Sequence, residues 1–485
     1  YAIVRVDSRG AGWSPGVLDV NSEREIQDLY ECIEWAARQP WCTGRVGLLG
    51  ISYYASNQWR VAALQPPHLA AIIPWEGRAD DYRDALYHGG IYCEFQGKWF
   101  PIQVRTVQHG VGDRGRRNPN TGEPVAGPDT LSEEELACNR VDRVARIKQH
   151  PLDDEFHRRS RSDWSRVTVP LLSAANWGGQ GLHPRGNFEG FTEAASGQKW
   201  LEVHGGSHWA PFYTDYGLDL QKRFFGRFLK EEETGWDHQP PVQLNVRHPG
   251  ERFEVRAERE WPLARTRWTQ LHLDASSRTL AESPPAGDAS VAYEALGEGV
   301  TFELPPLQAE TEVTGPIAAR LFVSSSTTDA DLFLVVRAFD PDGSEITFQG
   351  ALDPNTPIAN GWLRASHRKL DPGRSRPYQP YHTHDELQPL VPGQVYQLDV
   401  EVWPTCIVLP AGYKLALTVL GRDYQYAGPL SEFARSFVYA GRGVGPFTHG
   451  DPEDRPPDVY GGTVTIHTGP SHPSCLLLPV IPSSG

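Results

Sequence analysis

The residues best suited to chemistry in this chain are Gly50-Ile51-Ser52-Tyr53-Tyr54. They close an apolar run, residues 46–51, and open a stretch of helical character, residues 53–64. Strand, sharp turn and helix in that order form a nucleophile elbow. The turn lifts the Ser hydroxyl above the strand end, the flanking positions must be small, and the N–H of the next residue, Tyr53, faces the place where an oxyanion would form. The usual pattern is G-x-S-x-G, and here its last position is Tyr54. The bland alternative is a strand–turn–helix in which Ser52 only caps the helix.

A hydroxyl is a weak nucleophile without an adjacent base. The base should be a His on a loop after a late strand. His204-Gly205-Gly206-Ser207-His208-Trp209 offers two. His208 lies beyond the strand that ends at Val203 and is the expected base. His204 is still at the strand and is expected to be packed or hydrogen-bonded there. Trp177 and Trp209 flank these loops and are candidate walls of a substrate pocket.

These residues need a scaffold. Residues 1–83 alternate strand (2–7), helix (23–39), strand (46–51), helix (53–64) and strand (68–75). Continuous apolar strands in such an order imply a parallel sheet covered on both faces. Residues 84–165 are polar, rich in Gly, Pro and Asn, and read as a mostly helical cap insertion. Alternation resumes over 166–236, with strands at 169–175 and 199–203 and a helix at 215–230. From 237 to 485 the chain shows short β runs, such as 242–246, 318–324, 332–339, 396–402 and 414–420. The hairpin signal Asp340-Pro341-Asp342-Gly343 separates two of them. The expected fold class is α/β plus all-β, the second part a sandwich of jelly-roll type.

Four segments resemble the family that includes cocaine esterase, α-amino-acid ester hydrolase and X-prolyl dipeptidyl peptidase, the CocE/NonD-type hydrolases. Asp7-Ser8-Arg9-Gly10-Ala11-Gly12-Trp13-Ser14-Pro15-Gly16 is similar to the family's D-x-R-G-x-G-x-S-x-G loop. Residues 41–53, from Trp41 through Gly44, Val46, Gly47 and Gly50 to Ser52 and Tyr53, are similar to its W-x-x-G-x-V-G-x-x-G-x-S-Y elbow. Gly205-Gly206-Ser207-His208 falls where the family has G-P-W-x-H, and residues 313–332 are similar to its C-terminal jelly roll. The resemblance spans nearly the whole chain. It implies an α/β-hydrolase domain in two parts (1–83 and 166–236), the cap, the jelly roll, and a serine hydrolase acting on esters or amides.

Two features depart from the family. Its triad acid follows a strand in a G-W-x-D motif, whereas Asn176-Trp177-Gly178-Gly179 carries no acid here. Glu76, at the end of the strand 68–75, is the expected substitute, ahead of Asn176, Glu189, Asp80 and Asp81; its alternative is a loop carboxylate paired with Arg78. The family also draws an oxyanion donor from a Tyr upstream of the D-x-R-G loop. The chain opens on an apolar, strand-like run and contains no Met, so a further N-terminal stretch is expected before Tyr1.

Composition narrows the function classes. At about 150 residues per domain, 485 residues make two or three domains with ample core. A net charge of −15 argues against nucleic-acid and anionic-membrane partners. Six scattered Cys without C-x-x-C fit reduced thiols in a cytoplasmic protein. No cofactor and no metal site is expected. His382-Thr383-His384 lacks further ligands and reads as a solvated loop. The expected partner is a small ester or amide substrate, and a homo-oligomer stays open. The expected reaction runs through an acyl-enzyme on Ser52. A peptidase would need an acidic anchor for the substrate amine, for which Asp80, Asp81 and Glu94 are candidates. The rival class is a catalytically impaired scaffold that binds ligand through its jelly roll.

Overall fold

The fold is taken from a computed structural model that describes residues 1–430 and 442–482. Its first unit comprises α1 (Glu23–Ala37), β1 (Val46–Ile51), α2 (Tyr53–Ala63), β2 (Leu69–Trp75), β3 (Leu171–Asn176), α3 (Pro184–Glu193), β4 (Lys199–His204), α4 (Asp215–Lys230) and β5 (Val242–His248). The strands lie side by side in chain order, each parallel to the next. Successive side chains of a strand point to opposite faces, and both faces of this sheet are covered. On one, Ile72 and Leu171 meet Ile26, Ile33, Trp59 and Val61 of α1 and α2. On the other, Ala71, Ile73, Trp75 and Leu172 meet Leu220, Phe224 and Phe228 of α4. The carboxyl ends of β1 to β4 therefore share one edge of the sheet, where ligand sites of such sheets lie.

Two expectations change here. Residues 2–7 join no strand, and Ile3 is 81 % exposed; among the described residues β1 pairs only with β2, so this run has no ladder to complete it. Residues 242–246 were expected in the C-terminal β region but form β5, the last parallel strand of the first unit. Their apolar positions Val242, Leu244 and Val246 pack with Leu201 and Val203 of β4. β5 also pairs antiparallel with Arg252–Glu258 and touches Tyr396–Leu409 in parallel register. It thus joins the parallel sheet to the β-rich C-terminal region.

In that region Thr311–Ser325 pairs with Tyr396–Leu409, Thr463–Thr468 and Cys475–Ile481, all antiparallel. Its core is aliphatic, built around Ile317, Leu321, Leu334, Val402 and Leu417. Asp340–Gly343 makes the expected tight turn: Gly343 adopts φ +85° and its N–H donates to Asp340 O at 3.0 Å. His382 and His384, expected in solvent, are buried. The His382 carbonyl accepts from Arg83 Nη2 at 2.7 Å and the His384 ring packs on Tyr82, so this loop is pinned beneath the inserted segment.

Helical pieces of the insertion are short: Phe95–Trp99, Glu133–Cys138, Arg143–Lys148 and Glu155–Arg158. Gly-, Pro- and Asn-rich chain between them breaks the helical pattern. Ser132 and Glu135 form a reciprocal cap on Glu133–Cys138.

Arg185 of α3 ties the parts together. It is buried and meets Asp84 and Glu189 at 3.0 Å and Glu401 at 3.2 Å. Removing the cation leaves the buried Asp84 without its arginine and loosens Glu189, which keeps Arg374 at 3.0 Å, and Glu401. Arg185→Met is expected to cost about 3–5 kcal/mol, read as a lower urea midpoint. An unchanged midpoint would show that the insertion and the C-terminal region dock without this cluster.

Candidate active site

Ser52 sits between β1 and α2 with φ +63° and ψ −112°. That is a costly backbone for a side chain with a Cβ, and such strain collects at functional sites. Neighbouring contacts hold it. The Ser52 N–H donates to Trp75 O at 3.0 Å, and the Ser52 carbonyl accepts from Ser56 N at 2.9 Å. Gly50 is required: a Cβ there would lie 2.4 Å from Tyr54 Cβ. The missing side chain at 50 thus admits the bulky Tyr54 in the position that is usually Gly, and the Tyr54 side chain turns to solvent, 71 % exposed. The Tyr53 hydroxyl donates to Glu25, fastening the elbow to α1. The Tyr53 N–H opens α2, where no earlier helical carbonyl can claim it.

Glu76 follows β2 and is also left-handed, at φ +50°. Its N–H donates to Ala174 O of β3 at 2.6 Å. The next residue, Gly77, packs on α2 so closely that a Cβ would approach Ala55 Cβ to 2.8 Å, and its N–H donates to Asn187 Oδ1 at 2.9 Å. This turn aims the Glu76 carboxylate, with no solvent contact, into a group of three histidines. Oε2 lies 2.7 Å from His208 Nδ1 and 3.8 Å from His183 Nδ1. Oε1 lies 3.2 Å from His204 Nε2 and accepts from Asn176 Nδ2 at 3.3 Å. Arg78, the alternative partner, pairs instead with Asp81 at 2.5 Å.

The ring against the nucleophile is His183: its Nε2 lies 3.0 Å from Ser52 Oγ. His208, the base expected from the sequence, is on Glu76 and stacks flat on His183, with centroids 5.0 Å apart and planes 8° from parallel. His183 was not singled out in the sequence. The available signal was Leu182-His183-Pro184 after β3. Pro184 starts α3, which leaves His183 in the loop at the carboxyl end of the sheet, on the same edge as Ser52. That loop lacks the acid expected at its start and holds an imidazole.

Electrostatics separate the roles. Burial alone would raise the Glu76 pKa, but the His208 and His204 rings outweigh it and hold the carboxyl below the usual range. Burial opposes the charged form of His204, yet Glu202 at 2.7 Å and Glu76 push its pKa up to about 9, so it is an imidazolium at neutral pH. Burial, followed by the His208 charge, keeps His183 far below an ordinary His. His183 is therefore neutral and able to accept a proton at Nε2 when Nδ1 carries the hydrogen. That Nδ1 has no hydrogen-bond partner and lies nearest Glu76.

Of the pocket candidates, Trp209 is 51 % exposed and stands edge-on to His208, 5.0 Å between centroids. Trp177 is core: its indole N–H donates to Asn245 O at 2.9 Å and its ring packs on Phe188 and Trp261. The acidic groups considered as amine anchors are occupied. Asp80 meets Arg83 at 2.8 Å and Arg161 at 2.9 Å, Asp81 meets Arg78, and Glu94 Oε2 accepts from the Thr448 hydroxyl and from Gly450 N–H at 3.0 Å.

A strained Ser between a parallel strand and a helix, with imidazoles and a buried carboxylate beside it, defines a serine hydrolase built on an α/β sheet. Comparison with known proteins agrees. Residues 1–210 match the model of the X-Pro dipeptidyl-peptidase (S15) family, and residues 234–477 match that of the X-Pro dipeptidyl-peptidase C-terminal non-catalytic domain. The crystal structure of a CocE/NonD family hydrolase from Staphylococcus aureus is 33% identical, with a TM-score of 0.83 over 98% of this chain and 79% of that one. Cocaine esterase of a Rhodococcus species is 24% identical over 99% of this chain and 88% of its own. An aminopeptidase from a marine sediment archaeon of the Thaumarchaeota shares the fold, with a TM-score of 0.66 at 14% identity over 94% of this chain and 80% of its own. The chain belongs to the CocE/NonD hydrolases, and it is a serine hydrolase.

The His204 pair carries a pH signature. Its pKa is raised on folding, from about 6.5 to about 9. Its contribution to stability is therefore complete below pH 6.5 and is lost as pH rises through 9. The urea midpoint of the wild type is expected to fall across that window, and His204→Gln to flatten the fall. Equal slopes in the two proteins would contradict a charged His204.

Proposed function

We propose that the protein hydrolyses a carboxylic ester, or an acyl amide, through an acyl-enzyme on Ser52, with His183 as the group that takes the Ser52 proton. The 3.0 Å contact between Ser52 Oγ and His183 Nε2 carries this reading. A general base must be within hydrogen-bond reach of the proton it removes, and among the described residues no other imidazole is within that reach of Ser52. Oγ attacks the acyl carbon while the proton passes to Nε2. The carbonyl oxygen becomes an oxyanion facing the Tyr53 N–H. Collapse expels the leaving group, which takes the proton from His183. Water then attacks the acyl carbon and gives a proton to His183, and collapse returns that proton to Ser52 Oγ and frees the acid.

Glu76 is the acid of this scheme. As His183 gains charge, its Nδ1–H is drawn toward Glu76 Oε2, and the 3.8 Å separation leaves a short closure to make. His208 is a positioning residue that fixes the same oxygen from its other side and stacks under the base. Trp209 is proposed as a wall of the acyl pocket. The C-terminal β region is proposed to be a jelly roll flanking the site. Asp80, Asp81 and Glu94 are all paired, which favours an ester over an amine-anchored peptide.

The test is turnover of p-nitrophenyl acyl esters of increasing chain length. Ser52→Ala and His183→Ala are expected to lower kcat about 10²–10⁴-fold. His208→Ala should lose less, with KM nearly unchanged and a displaced pH profile. If His208→Ala is silent and His183→Ala is active, the two imidazoles exchange roles and the sequence-based choice of base is restored.

A further inference from the structure

Away from Ser52 the molecule holds a second buried group of donor atoms that the acyl transfer does not use. His88 ends the two-residue strand Tyr87–His88, and Cys93 follows its antiparallel partner Ile91–Tyr92. Gly89 and Gly90 turn the chain between them at φ +56° and +92°. His449 arrives from the C-terminal region, 361 positions from His88. All three residues are buried, and their donor atoms, one nitrogen from each ring and Cys93 Sγ, lie within 4.8 Å of one another.

Hydrogen-bond inventory makes this group unusual. His88 Nε2 faces the Asp84 carbonyl at 3.1 Å, and a carbonyl only accepts, so Nε2 carries the hydrogen. His449 Nδ1 faces the Asp423 carboxylate at 2.7 Å and carries a hydrogen for the same reason. Asp423 is fixed in turn by the His449 N–H, which donates to its other oxygen at 2.7 Å. In neutral rings both remaining nitrogens, His88 Nδ1 and His449 Nε2, are bare lone pairs, and they face each other at 2.8 Å. Something electropositive must lie between them. A proton would do, and so would a metal ion.

The surroundings favour the metal. Ligating histidines characteristically donate the other ring N–H to a carboxylate or a backbone carbonyl, which sets the tautomer and the ring angle. Both rings do so here. A proton would engage only the two nitrogens and leave Cys93 Sγ with no more than the backbone N–H of Phe95. A cation displaced from the line between the nitrogens toward the sulfur uses all three donors. Two bonds of about 2.0–2.1 Å span 2.8 Å at an angle near 90°, and about half an ångström of opening makes it tetrahedral. Aromatic rings close the site: Trp362 lies 4.7 Å from His88 and Phe333 lies 5.4 Å from His449, centroid to centroid.

We propose that His88 Nδ1, His449 Nε2 and Cys93 Sγ bind one zinc-type divalent cation, which clamps the inserted hairpin to the C-terminal β region. Two imidazoles and one thiolate suit a borderline-soft ion and not Mg²⁺ or Ca²⁺. The thiol loses its proton to solvent on binding and coordinates as thiolate, so affinity rises with pH. Nothing routes through the ion during ester hydrolysis.

The probe is Co²⁺ added to chelator-stripped full-length protein, with Zn²⁺ measured by elemental analysis on protein loaded and then desalted. The expected result is one Zn²⁺ per chain, a thiolate-to-Co²⁺ charge-transfer band in the near ultraviolet, and a higher Tm with metal. Cys93→Ser is expected to abolish the band, and His449→Gln to lower the stoichiometry below one. The active-site cluster of Glu76, His183 and His208 holds no sulfur, so metal bound there gives no such band. Wild-type protein that retains no Zn²⁺ and shows no band overturns the proposal, and so does a band that persists in Cys93→Ser. The wild-type readings stand even if a variant fails to fold.

Discussion

A carboxylate without solvent must find cations or strong donors, and Glu76 finds them in the His208 and His204 rings and the Asn176 amide. The rest of the site follows from that constraint. His204, held as an imidazolium between Glu202 and Glu76, keeps the carboxylate charged. His208 takes the second oxygen, and His183 stacks on His208 with its free nitrogen toward the same atom. The backbone obeys the same demand. Glu76 points inward from a left-handed turn, and Asn187 clamps that turn by accepting from Gly77 and by donating to Pro74 O at 3.0 Å. Ends of β2, β3 and β4 thus converge on one side chain, with Ser52, after β1, at the rim.

The end of β3 serves this carboxylate without supplying an acid of its own. Asn176 stands at that strand end and gives its amide hydrogens to Glu76 Oε1 and to Gly206 O, while its own oxygen accepts from Gly178 N–H. A neutral amide there supports a carboxylate delivered from β2. An acid at 176 would put two carboxylates in contact, a repulsion that raises one pKa and removes a charge from the site. Moving the acid by one strand leaves the charge count intact, and the loop after β3 is then free to carry His183.

Much of this was legible in the sequence. The elbow was, because an apolar run and a helical pattern meet at Gly50–Ser52, and Glu76 and His208 were placed beyond the ends of later apolar runs. Three things were not. His183 was hidden because loop residues carry no periodicity, and only a fold places the loop after β3 against the elbow. Trp177 looked like a pocket wall in a linear reading, yet its side chain points into the core with Phe188. Residues 242–246 were read as a strand of the C-terminal β region and belong to the parallel sheet, since apolar alternation is blind to which partner lies alongside. Long-range pairings such as His88 with His449, or Arg185 with Glu401, leave no local trace at all.

The central claim is that a covalent acyl-enzyme forms on Ser52. Its most direct test is a pre-steady-state burst of p-nitrophenolate, with the protein quenched within the burst and its peptides mapped by mass spectrometry. The account predicts one acyl group per chain, on the peptide that contains Ser52, and neither burst nor adduct in Ser52→Ala. Turnover without a covalent species, or an acyl group on another residue, would contradict it.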